Sequence, residues 1–219
     1  MNFPAGLFPL PFLLVLDFAT LAALCVAAWR FPWRQLTAAQ INAWLGACVA
    51  AMVLWTLKYD ARPGLSYHLL GMTVLTLMMG PALAMLAAAL VIAVACLMAG
   101  GAWQPLGLDW LTSGVLPVAL TWASLRLIQR RLPCNYFVYL FLNAFLTGGL
   151  AMAAAGLAGV AVLGAFGVYA WDGLLSEALP YYLLLAWSEA FLTGLLMAIL
   201  IVYRPRWVAS FDDARYLKN

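Results

Sequence analysis

The sequence predicts an all-α polytopic membrane protein of about seven transmembrane helices, and three observations carry that prediction. Hydrophobic residues make up 67% of the chain, and its mean hydropathy is +0.99. Only 9% of its residues are charged, where a soluble domain carries about a quarter. The apolar residues also fall in runs of roughly 20, enough to cross a ~30 Å hydrocarbon core as a helix.

In chain order the candidate spans are residues 12–29, 40–57, 65–80, 82–100, 110–128, 135–167 and 180–203. The third is short and ends at Gly80-Pro81, a turn signal leading into the Ala-rich fourth. The sixth is longer than one crossing needs, and Gly148-Gly149 is the expected place for a bend. Within it, Gly149/Ala153 and Ala155/Gly159 have the spacing that lets helices approach closely.

Before the first span, Pro4, Pro9 and Pro11 predict an extended segment over residues 1–11. It has neither a basic n-region nor a small-residue cleavage site, so it is read as part of the working protein and not as a secretory signal. No linker or low-complexity tract divides the chain. Residues 1–219 are expected to form one transmembrane domain, with 204–219 as a tail.

Charge predicts the orientation. Arg30, Arg34, Arg126, Arg130, Arg131, Arg204, Arg206, Arg215 and Lys218 share one side, against Lys58 and Arg62 on the other. Retention of basic loops in the cytoplasm then puts the N-terminus outside and the C-terminus inside. The net charge of +3 is thus a topology signal, and nothing supports nucleic-acid binding; membrane lipid is the expected surround. The ten tryptophans suit interfacial anchoring.

Several chemistries are excluded by their residues. One histidine cannot supply both axial ligands of a membrane b-type haem. No Walker motif, Gly-x-Ser-x-Gly elbow or His-Glu-x-x-His pattern occurs. Cys25, Cys48, Cys96 and Cys134 stand singly, without a CxxC pair, and read as small packing residues.

Ionisable residues inside spans are functional candidates because they are costly there. Asp17, His68 and Glu189 all fall in the outer half of their spans and can line one cavity open to the outside. Each also has a structural reading. His68 can be a hydrogen-bonded packing residue, Asp17 can accept amides of the irregular N-terminal segment, and Glu189 can pair with an indole N–H or a hydroxyl. Met72 and Met79 follow His68 at spacings that return to its helical face, and imidazole with thioethers suits Cu(I). A methionine stripe is also ordinary core packing.

Several segments resemble the CbiM/NikM family, the substrate-binding S components of cobalt and nickel energy-coupling-factor (ECF) ABC transporters. They are Met1-Asn2-Phe3-Pro4-Ala5-Gly6, Ser66-Tyr67-His68-Leu69-Leu70-Gly71, Gly80-Pro81, and the loop Gly100-Gly101-Ala102-Trp103-Gln104-Pro105-Leu106-Gly107. The resemblance covers residues 1–155 and implies a subunit of the bacterial inner membrane. It would bind a transition-metal ion as substrate (Co, Ni or Cu), with no tightly bound cofactor. It would work with a transmembrane T component and with ATPase subunits that hydrolyse the ATP, so the chain itself would not be an enzyme. The metal ligands it implies are the Met1 amine, the Asn2 backbone and the His68 side chain, with Asp17, Met72 and Glu189 as further candidates. The chain departs from the family where Asn2 replaces histidine, Ala5 replaces aspartate and Asp109 replaces asparagine. Two alternatives stand beside this reading: an accessory membrane subunit that keeps the fold without the transport, and a copper-handling protein built on His68, Met72 and Met79.

Overall fold

The computed structural model describes residues 3–4, 6–98, 100 and 103–216. Helix α1 is Leu10–Arg30 and α2 is Ala38–Thr56. A small antiparallel hairpin follows, β1 Tyr59–Arg62 paired with β2 Leu65–Tyr67. Helix α3 is only Met72–Met79. The long helices then resume: α4 Pro81–Met98, α5 Leu106–Arg131, α6 Tyr136–Ala165 and α7 Trp171–Tyr203. Among the described residues six helices are long and apolar enough to cross a membrane, all except α3.

The third predicted span is therefore corrected. Residues 65–67 are strand, 68–71 are irregular, and only eight residues are helical. At 1.5 Å per residue α3 rises about 12 Å, less than half the hydrocarbon thickness. It survives because it never meets lipid: Met72, Thr73, Val74, Leu75, Thr76, Leu77 and Met78 are all buried. Non-helical backbone at membrane depth is tolerated where protein surrounds it.

The two ends of the bundle are fixed by contacts to one helix. Phe3 donates its amide to Asp109 near the start of α5, and Gln129 near its other end donates to the Tyr216 hydroxyl. The N-terminal segment and the tail thus lie about 30 Å apart, at opposite ends. The hairpin shares the Phe3 end, tied to the α6–α7 region by Tyr169 to the Pro63 carbonyl and by the Arg62–Glu177 ion pair at 2.8 Å. Arg126, Arg130 and Arg131 lie toward the tail end of α5, and Arg204 and Arg206 follow α7.

Two helices begin earlier than hydropathy suggests. Pro180 marks a natural helix start, yet α7 begins at Trp171. Wider π-type turns at Leu174–Ala178 and Leu111–Val115 precede Pro180 and Pro117, so each missing N–H is absorbed inside a continuous helix. In α6 the irregular turn is Tyr139–Leu146, just before the glycine pair. Gly148 and Gly149 serve close packing instead of marking the bend: a Cβ at Gly148 would lie 2.8 Å from the Thr193 hydroxyl, and one at Gly149 3.1 Å from the Ala186 carbonyl oxygen. Gly156 is tighter still, with Tyr182 Cβ 2.5 Å from where its own Cβ would sit.

The outward faces are apolar, as lipid contact requires. On α1 alone Leu14, Val15, Phe18 and Leu21 are exposed. Not all tryptophans are anchors. Trp44, Trp55 and Trp110 donate their indole N–H inside the bundle, to the carbonyls of Leu83, Leu70 and Met85. Cys48 and Cys96 are buried packing residues as expected, whereas Cys25 is exposed and Cys134 accepts a hydrogen bond from Arg215 Nε.

Candidate metal site

His68 lies between β2 and α3 and is 4% exposed. One face of its ring packs against Trp55 of α2, with centroids 4.4 Å apart and planes at 49°. Its Nδ1 sits 3.1 Å from the Leu69 carbonyl oxygen. A carbonyl only accepts, so in this contact Nδ1 carries the proton and Nε2 the lone pair, the form in which imidazole ligates a metal.

The backbone around His68 is held from two helices. Glu189 of α7, 2% exposed, accepts the Leu70 amide at 2.9 Å on Oε2 and the Gly71 amide at 2.7 Å on Oε1. Trp55 Nε1 donates to the Leu70 carbonyl at 3.0 Å. Gly71 has a φ of +69°, a left-handed conformation that favours glycine, and this turn starts α3. Two residues before His68, the Ser66 carbonyl accepts the Tyr182 hydroxyl at 3.3 Å, and the Ser66 hydroxyl donates to Asp60. Burial alone would raise the Asp60 carboxyl. Hydrogen bonds from Ser66 and Lys58 outweigh it and hold the group below its ordinary range.

The N-terminal segment reaches the same end of the bundle. Phe3 is 2% exposed, and its amide donates to both oxygens of the buried Asp109 at 3.2 and 3.3 Å. Edge-to-face contacts Phe3–Phe8 and Phe8–Phe166 continue this packing toward the end of α6. The hairpin closes over it: a Cβ on Gly64 would lie 3.3 Å from the Phe3 ring.

The candidates are thus sorted. Met1 and Asn2 lie outside the described residues. Glu189 lies beside the His68 segment, but both of its oxygens are used to hold backbone amides. Asp17 accepts the Gly107 amide at 2.7 Å and so fixes the start of α5. Among the described residues of the N-terminal segment, the Phe3 amide goes to Asp109, while Asp17 accepts an amide of α5. Met72 is wholly buried, but His68 is not on a helix with it, so the shared helical face does not exist. Met79 packs with a separate cluster at the tail end, a helical rise of about 10 Å beyond Met72. The single helical face on which the Cu(I) reading placed His68, Met72 and Met79 is therefore absent. Among the described residues no three His, Cys, Asp or Glu side chains converge as a metal site.

Sequence reasoning passed over Trp55 and marked Asp109 as an outer-side acid and a departure from a pattern, without a structural role. Trp55 stands thirteen positions before His68 in the sequence, and nothing local marks it as its neighbour. The Asp109–Phe3 contact joins residues 106 apart in sequence.

Similar proteins agree with this architecture. A solved structure described as a truncated transition metal transporter matches with a TM-score of 0.80 at 20% identity, covering 93% of this chain and 99% of that one. A second, described as a transition metal transporter, matches with a TM-score of 0.79 at 20% identity, covering 91% of this chain and 92% of that one. At these identities the likeness speaks for the fold. No curated protein matches the chain. The family pattern described as CbiM, cobalt uptake substrate-specific transmembrane region, matches residues 2–207. With nearly its whole length matched, and with the bundle of membrane-spanning helices in place, the chain belongs to the CbiM family of multi-pass membrane substrate-binding (S) components of metal ECF transporters.

Proposed function

We propose that this S component captures a divalent transition-metal ion, cobalt or nickel, at the His68 end of the bundle, and that this end faces outward. The carrying observation is His68 itself: buried, held from α2 by Trp55 and from α7 through Glu189, at the end where Asp109 anchors Phe3. Phe3 follows Met1 by two residues in the sequence and is anchored at the same end of the bundle as His68, which supports the N-terminal ligands named by the family resemblance. An amine, a backbone amide and an imidazole make a nitrogen field suited to Ni(II) or Co(II).

In this reading Asp17 and Glu189 position backbone, Met72 packs, and Met1, Asn2 and His68 bind. The basic residues at the tail end support a cytoplasmic C-terminus in a bacterial inner membrane. Residues 1–219 act as one transmembrane domain, with 1–11 folded over the outer site and 204–219 in the cytoplasm. A T component and ATPase subunits take over the loaded chain and hydrolyse the ATP; this chain catalyses no reaction.

Titration of the purified protein with Ni(II) and Co(II) tests this. Changing an outer-shell partner costs about 10–100-fold in metal affinity, so His68→Ala is expected to lose at least about 100-fold. Equal affinity in wild type and His68→Ala sinks the reading.

A further inference from the structure

His68 is buried, so an ion must have a way in. A cavity of about 390 Å³ opens between α2 and α4 beside the hairpin, lined among others by Met52, Trp55, Lys58, Asp60 and Met98. Its relation to His68 is specific. Trp55 forms part of the cavity wall, and the same indole packs on the imidazole at 4.4 Å. Ring contact and cavity lining together make Trp55 the partition between the open space and the candidate ligand.

Asp60 lies on the hairpin side of the cavity. Its side chain is 51% exposed and pairs with Lys58 at 2.9 Å. Its other oxygen accepts the Ser66 hydroxyl, two residues before His68. A divalent cation competes well for this carboxylate, because the Lys58 ammonium sits on a flexible four-carbon stem and can leave into water. Trp55 is tethered by one hydrogen bond, to the Leu70 carbonyl, and such a bond contributes only modestly to net stability. The cavity leaves open space beside the indole.

We propose that this cavity is the entry vestibule for the metal ion, with Asp60 collecting the cation at its mouth and Trp55 as its inner door. The proposal rests on the reading of His68 as a ligand. It separates the rate of entry from the strength of binding: a door alters passage in both directions, whereas a ligand or its support alters affinity.

Stopped-flow uptake and release of Ni(II) and Co(II) by the purified full-length chain, with a competing chelating dye, tests it. Trp55→Ala is expected to raise kon by about tenfold and koff by at least as much, because it removes the Leu70 hydrogen bond together with the ring. Trp55→Phe keeps a smaller ring without the indole N–H and should shift both rates the same way by a lesser factor; it decides the matter if Trp55→Ala does not fold. Asp60→Asn should lower kon by about threefold or more at low salt with koff unchanged, and the difference should shrink as ionic strength rises. Normal His68-dependent binding with both rates insensitive to Trp55 and Asp60 overturns the vestibule alone. A weaker Kd at unchanged kon in the Trp55 variants does the same, since it makes Trp55 a mere support. Absence of His68-dependent binding in the wild type overturns the site and the vestibule together.

Discussion

The two ends of the bundle are held together by different chemistry. At the His68 end, carboxylates grip backbone amides: Glu189 on Leu70 and Gly71, Asp109 on Phe3, and Asp17 on Gly107. At the tail end, rings and hydroxyls do the holding. Tyr139, Phe211 and Tyr216 form an aromatic cluster, with Phe211 and Tyr216 stacked at 4.9 Å. Ser210 donates its amide and its hydroxyl to the Leu77 carbonyl and meets the Tyr139 hydroxyl. A carboxylate that accepts two amides fixes the course of a loop from a distant helix. Aromatic packing fills space without specifying charge.

That contrast can be broken from either side. The largest effect is expected from Glu189→Ala, which strands two buried amide donors. At about 1–3 kcal/mol for each unsatisfied group, the loss is roughly 2–6 kcal/mol. Thermal unfolding in detergent should show it, with metal binding lost in the same variant. Retention of wild-type binding would mean that the His68 loop does not depend on this carboxylate.

Gly156→Ala comes next and tests the packing that carries α7, and hence Glu189, against α6. Its new Cβ would meet the base of the Tyr182 side chain, so about 1–3 kcal/mol of overpacking cost is expected. An unchanged melting temperature would show that the α6–α7 contact yields easily. The smallest effect belongs to the tail end. Ser210→Ala removes the hydroxyl bonds to Leu77 and Tyr139 and should cost about 1 kcal/mol. Its metal affinity should equal that of wild type; a fall in affinity would show that the two ends are coupled.

Much of this could be read in the chain, and the failures have a physical cause. The limits of α1, α2 and α4 follow hydropathy within a few residues, because lipid-facing helices must be apolar along their length. The third span failed because Leu65–Met79 is as apolar as a spanning helix although only its second half is helical. Burial inside the bundle and exposure to lipid demand the same residues, so hydropathy cannot separate them. His68, Asp17 and Glu189 stood out as costly groups in apolar runs. Their partners did not, because Glu189 meets Gly71 across 118 positions and Asp17 meets Gly107 across 90. A carboxylate that holds a distant backbone amide leaves no trace in the partner's identity, since every residue except proline offers that N–H.

The brevity of α3 bears on how the protein is made. Eight residues are too few for the insertion machinery to release into lipid as a helix of their own. Its final carbonyls, at Leu77 and Met78, are met by the amides of Ser210 and Ala209, which the ribosome supplies more than a hundred residues later. The carbonyls of α3 therefore find these partners only after α7 and the tail have been synthesised.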